Sequence, residues 1–167
     1  MTIVRLCRSR FSPKDATGAR LYGGRWNSPG YAVLYASSTL ALACLEALVH
    51  IRDVGLMPAD YVFCEIDVPP ELIGPWDLTG EAALAKIESP VLSREYGDSW
   101  LSTFGIFSRE QGAFRRIKTY PVQAVPSVIV PREMNYLISP VHPLFERLVW
   151  GEPKRFRFDP RLIATAE

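Results

Sequence analysis

Apolar residues are densest between positions 31 and 51, and the pattern there changes character near Ser37. Residues 31–36 are apolar and aromatic, as in a buried strand. Positions 40–51 then read Leu-Ala-Leu-Ala-Cys-Leu-Glu-Ala-Leu-Val-His-Ile, with only Glu46 and His50 strongly polar. This predicts a buried helix capped by Ser37 or Ser38, running to about Arg52 and ended by Gly55 and Pro58. Residues 3–6 form a short strand candidate, and 9–27 are loop-like, with Pro13, Gly18, Gly23 and Gly24. Positions 61–68 are rich in strand formers and are stopped by Pro69-Pro70. Short helices are predicted over 81–86 and 93–104, the second with Trp100, Leu101 and Phe104 on one side. A strand over 123–130 contains Pro126, which suggests an edge or a bulge. Further strands are expected at 135–138 and 155–158. Strands and helices mix without regular βαβ alternation, which favours a single α+β domain over residues 1–167, with mixed β-sheets and flanking helices.

Composition narrows the class. A chain of 167 residues favours one domain, and 4 Trp, 7 Tyr and 8 Phe are available for its core. The net charge of +1 argues against a direct nucleic-acid binder, which usually carries a strong basic excess. The basic stretches at 109–118 and 154–161 also carry acids or aromatics and read as solvated faces. Three cysteines with no CxxC spacing suit a reducing compartment, with Cys44 and Cys64 in the core. Arg5, Arg8 and Arg10 interrupt any signal-peptide pattern, and Glu46 and His50 interrupt any membrane span. A cytoplasmic protein without membrane contact is expected.

Two features can carry chemistry. Glu46 on an apolar helix must be paired or hydrogen-bonded. It is either a core carboxylate paired with His50 at i+4, or a carboxylate kept in a cleft for function. Gly23-Gly24-Arg25-Trp26-Asn27 is either an anchored glycine turn or a ligand loop. In the second reading, Arg25 offers a fork suited to phosphate, Trp26 a stacking surface and Asn27 an amide. Tyr35 closes the strand before the Glu46 helix. Ser127 lies outside any nucleophile elbow, and only two histidines are present, which disfavours a Ser-His-Asp hydrolase. His50 and His142 lack zinc-type spacing with the cysteines, so no metal site is expected.

Taken together, these blocks resemble the RES domain, the toxin of bacterial RES–Xre toxin–antitoxin pairs. The resemblance runs through Phe11, Thr17-Gly18-Ala19, Gly23-Gly24-Arg25-Trp26-Asn27 and Val33-Leu34-Tyr35-Ala36-Ser37. It continues through Leu45-Glu46-Ala47-Leu48, His50, Val125-Pro126-Ser127-Val128-Ile129-Val130-Pro131, Asn135-Tyr136-Leu137 and Pro140-Val141-His142-Pro143. One departure is Ser139-Pro140 where the family often has Asn-Pro. The resemblance implies a fold similar to ADP-ribosyltransferases and consumption of NAD, as substrate, with no other cofactor. It places the family's arginine, glutamate and serine on Arg25, Glu46 and Ser127, and its pocket tyrosine on Tyr35.

In the roles so implied, Glu46 stabilises an oxocarbenium-like ribose. Arg25 holds the pyrophosphate or orients the nicotinamide ribose, Tyr35 stacks on or borders the nicotinamide, and Ser127 bonds its amide or ribose. Trp26 and Asn27 complete the binding loop. The expected toxin depletes NAD by hydrolysis or phosphorolysis and is silenced by an Xre-type helix-turn-helix antitoxin. A homodimer or antitoxin interface is expected near 155–158. The competing functions are an ADP-ribosyltransferase with a macromolecular target and a non-catalytic binding module with the same fold.

Overall fold

The computed structural model describes residues 1–50, 60–102, 107–110, 113–116 and 120–162, with only the backbone described for 107–110, 113–116 and 160. In chain order the elements are β1 (Thr2–Arg8), α1 (Thr17–Tyr22), β2 (Leu34–Ser37), α2 (Leu40–Leu48), β3 (Tyr61–Asp67), β4 (Ile73–Gly74), α3 (Gly80–Glu88), α4 (Pro90–Ser102), β5 (Phe107–Glu110), β6 (Ala113–Arg116), β7 (Val122–Pro126), β8 (Met134–Ile138), β9 (Val149–Trp150) and β10 (Lys154–Phe156). The expected helix stops at Arg52, Gly55 and Pro58, with Phe104 and Lys118, lie outside the described residues. Among the described residues, no helix is long and apolar enough to cross a membrane.

One mixed sheet runs in the order β10-β3-β1-β2-β8-β7-β4, with β9 also on β3, and β5 and β6 form a separate hairpin. The pair β4–β7 is parallel, and the other pairs are antiparallel. Side chains alternate between two cores, as the two-residue period of a strand requires. Leu34 and Ala36 of β2, Tyr136 and Ile138 of β8, and Val122 and Ala124 of β7 enter one core with Ile3, Ile66 and Phe145. Tyr35 and Leu137, each between such neighbours, and Val125, next to Ala124, enter the other with Trp26, Trp76, Tyr96, Leu101 and Trp100. A sheet covered on both faces has near-continuous apolar strands. β7 is buried at all five positions.

Several expectations are corrected. Residues 17–22 form a helix, not a loop. Asp15 Oδ1 accepts the Thr17 N–H at 2.8 Å just ahead of a helix that buries none of its side chains and so leaves no apolar period to read. The α2 cap is Thr39, whose side chain accepts from the Leu42 N–H at 3.1 Å. Ser37 is still in the strand. This helix buries only Leu42 and Ala43, while Leu45 and Val49 are exposed, because one face alone packs on the sheet. β7 stops at Pro126 and residues 127–130 turn. β4 pairs only with Val122 and Gln123, so Pro126 sits where the outer side of β7 has no ladder to break. The last strand is Lys154–Phe156, not 155–158, and Phe158 packs beneath it against Tyr61 and Phe156.

Candidate active site

The site begins at a split in the sheet. β1 and β2 pair at a single register position, Val4 with Ser37, whereas β1 pairs with β3 over its whole length. Arg5 occupies the parting. Its Nε donates to the Pro13 carbonyl at 2.7 Å, Nη1 to the Tyr35 carbonyl at 2.9 Å and Nη2 to the Asp15 carbonyl at 3.3 Å. The guanidinium thus supplies the Tyr35 carbonyl with the donor that a continued ladder would have given, and ties down two loop carbonyls besides. Burial pushes its pKa below the ordinary value, against the opposing pull of Cys7 and Asp15.

Glu46 faces this split from the end of the second turn of α2. Its Oε1 accepts from Ser127 Oγ at 2.8 Å and from Asn135 Nδ2 at 2.5 Å. Ser127 is fully buried in the turn after β7, where its oxygen also accepts the N–H groups of Ile129 and Val130 at 3.1 and 3.0 Å. Asn135 stands on β8 opposite Ser37, whose hydroxyl donates to its Oδ1 at 2.8 Å. The Glu46–His50 pair, one of the two readings open from the sequence, is therefore replaced by bonds from across the fold. α2 ends at Leu48, so His50 lies beyond the helical spacing that would bring it over Glu46, and it is exposed.

The glycine loop forms the opposite wall. Gly23 sits at φ 72°, in the left-handed region, and a Cβ on Gly24 would lie 2.6 Å from the Tyr35 hydroxyl. That hydroxyl donates to Asn27 Oδ1 at 2.7 Å and accepts the Trp26 N–H at 3.2 Å. Burial pushes the Tyr35 hydroxyl well above its ordinary pKa. α4 clamps the loop from behind. Gly97 lies directly against the Trp26 carbonyl, Asp98 accepts the Ser28 N–H at 2.8 Å, and Ser93 accepts from Arg25 Nε at 3.2 Å. Arg25 Nη2 also donates to the Ile87 carbonyl.

Between these walls lies a cavity of about 770 Å³, lined by Arg5, Arg25, Trp26, Tyr35, Glu46, His50 and Asn135 among others. The structure thus brings Arg25, Tyr35 and Glu46 to one space. It does not bring Ser127 or Asn27 to the surface. Ser127 spends its hydroxyl on Glu46, so the bond expected from it to nicotinamide or ribose is corrected to a bond to the carboxylate. Asn27 is fully buried, and its amide nitrogen donates to the carbonyls of Ala19, Ser28 and Tyr31. It holds the loop's shape instead of offering an amide to a ligand. Trp26 is 2 % exposed and packs in T-shaped contacts with Trp76 and Tyr96, so it offers no open stacking face.

A family model described as the RES domain matches residues 2–159. The chain belongs to the RES domain family. Curated relatives of this RES chain include a "Prs ADP-ribosylating toxin" of Sphingobium sp. (strain YBL2), 34% identical over 91% of this chain and 88% of that one. Two proteins called "Toxin Res" are also similar. The one from Yersinia enterocolitica is 31% identical over 97% of this chain and 99% of its own, and the one from Photorhabdus laumondii is 33% identical over 98% and 97%. Among solved structures, the fold is similar to a chain of the M. tuberculosis MbcT-MbcA toxin-antitoxin complex. The TM-score is 0.61 at 17% identity, over 97% of this chain and 86% of that one. That likeness bears out the expected mixed α+β architecture with the RES fold.

Two residues of the site carry no role assigned from the sequence: Arg5, and Asn135, which figures there only within a family block. Arg5 stands in a strand and looks there like one more solvent-facing base. Asn135 lies in an apolar strand among buried residues, and a polar side chain in such a run is the physical signal that could have marked it, beside its place in the family block.

Proposed function

We propose that this RES domain is the toxin of a toxin–antitoxin pair and that it acts by cleaving the nicotinamide–ribose bond of NAD. The observation that carries the reading is Glu46, a carboxylate held by two donors in the wall of a cavity large enough for a dinucleotide. The ring of NAD is cationic and leaves as neutral nicotinamide, taking the bonding electron pair and needing no proton. An O-glycosidase commonly needs two carboxylates, one of them an acid. Here one suffices. Glu46 stabilises the developing positive charge on the ribose; water then bonds to the anomeric carbon and loses a proton to solvent, or a phosphate dianion bonds there through an anionic oxygen with no proton to lose. Arg25 holds the pyrophosphate or the ribose, and Tyr35 borders the nicotinamide. Ser127 acts through Glu46. NAD is the substrate, and no other cofactor enters.

The test is nicotinamide release from NAD by the purified chain, followed by chromatography with and without phosphate. Glu46→Gln should slow release by about 10²–10³-fold, the usual loss for one preorganised electrostatic group. Release at the wild-type rate would remove Glu46 from the mechanism.

A second reading, transfer of ADP-ribose onto a macromolecule, is favoured by the name of the Sphingobium relative. Labelled NAD separates the two. Label in free ADP-ribose or its phosphate supports cleavage, and label on protein or nucleic acid supports transfer. The partner we infer is an Xre-type antitoxin seated on the cavity mouth, where Phe11, Leu21, Tyr22, Val49 and Val128 are exposed apolar side chains. Co-expression that leaves nicotinamide release undiminished would count against that seat.

A further inference from the structure

Asn135 combines three properties. It belongs to β8, a strand buried at four of its five positions, yet it carries an amide. It lines the large cavity and also a smaller one of about 240 Å³ behind Glu46, bounded by Arg5, Ser37, Glu46 and His50. Its orientation is fixed from outside the site. In the β2–β8 ladder Ser37 stands directly opposite, and its hydroxyl donates to Oδ1 at 2.8 Å. A hydroxyl donating there leaves only the NH₂ end of the amide to point at Glu46, and that end lies 2.5 Å from Oε1.

Ser127 donates to the same oxygen. With both donors on Oε1, the carboxylate is pinned about its terminal torsion, and Oε2 is the oxygen left to meet a ligand. The two donors are not equivalent. Ser127 is fully buried and anchored to the backbone of its own turn, whereas Asn135 sits at the cavity surface beside the reacting space.

We infer that Asn135, oriented by Ser37, is a positioning residue that aims Glu46 at the anomeric carbon of NAD. The inference rests on the NAD-cleaving reading above. The attraction between the aimed carboxylate and the ribose grows as positive charge develops there, so loss of the aim appears in kcat with little change in KM.

The experiment measures nicotinamide release by wild type, Asn135→Ala, Asn135→Asp and Ser37→Ala, each checked for a wild-type-like circular dichroism spectrum. Asn135→Ala should lower kcat about 10- to 100-fold, as expected for a lost hydrogen bond to a charged group, with KM within about threefold. Ser37→Ala keeps the amide but frees its orientation, and should lower kcat by a smaller factor. Asn135→Asp is nearly isosteric and keeps the fold testable if the alanine variant does not fold. Protonated, the introduced carboxyl can still donate to Glu46. Ionised, it sets a second negative charge against the first. The other charged or titratable groups around the small cavity are Arg5 from β1, Tyr35 from β2 and His50 beyond α2. Asn135→Asp should therefore lose activity between about pH 5 and 8 relative to wild type at each pH. Wild-type kcat in Asn135→Ala, or an Asn135→Asp profile parallel to wild type, overturns the inference alone. Absence of nicotinamide release by the wild type overturns it together with the reading beneath it.

Discussion

Tyr35 shows how one side chain ties a loop to a strand. Its hydroxyl closes the gap between Asn27 and the Trp26 amide, and its backbone carbonyl takes the Arg5 guanidinium. Tyr35→Phe leaves a buried acceptor and a buried donor unmet, which costs about 1–3 kcal/mol near neutral pH. The pH dependence follows from burial, which raises the folded-state pKa above the ordinary value of 10. The unfolded chain then ionises first, so the stabilisation is full below about pH 10 and is lost as pH rises beyond it. Urea midpoints of wild type and Tyr35→Phe should accordingly differ most at pH 7–9 and converge towards pH 11. A constant difference across that range would show that the hydroxyl does not titrate with unfolding. Little of this was readable from residue type alone, because most buried tyrosines simply pack and find one partner.

At the scale of elements, α4 is the back-plate of the glycine loop. Its close approach depends on Gly97, since a Cβ there would fall on the Trp26 carbonyl oxygen. Gly97→Ala must push α4 away from a loop that also takes Ser93 and Asp98 contacts. It should destabilise by at least the 1–3 kcal/mol typical of overpacking and should lower NAD turnover as Arg25 shifts. Gly18 is the built-in contrast. It lies in α1, and a Cβ there would meet nothing within 4 Å. Gly18→Ala should be neutral or stabilising by up to about 1 kcal/mol, through the higher helix propensity of alanine. Parallel denaturant titrations of the two variants decide between them, and equal effects would refute the packing account. The existence of α2, α3 and α4 was legible from their length and apolar content. Their ends were not, because the caps are side chains such as Thr39 competing with equally plausible serines nearby.

On the scale of the whole molecule, the cavity exists because the sheet parts between β1 and β2, and Arg5 makes that parting tolerable. Arg5→Met would leave the carbonyls of Pro13, Asp15 and Tyr35 without their donor. A loss of about 3 kcal/mol is expected, together with reduced turnover. Arg5→Lys should recover only part, since an ammonium lacks the planar fork that reaches three diverging acceptors. Full recovery by lysine, read from thermal melts and nicotinamide release, would reduce Arg5 to a simple charge. What the chain order determined by itself was local or compositional. It includes the alternating strands, the mixed α+β class, the glycine loop with Arg25, and Glu46 as a carboxylate needing a partner. Tertiary structure alone decided who that partner is. Spacing along a helix pointed to His50, four residues away, whereas the bonds come from Ser127 and Asn135, 81 and 89 residues away. Those distances close only through strand register and the turn after β7, which long-range packing sets. The same register turns Ser127 inward and Asn135 towards the cavity, so a position predicted to touch substrate supports the carboxylate instead.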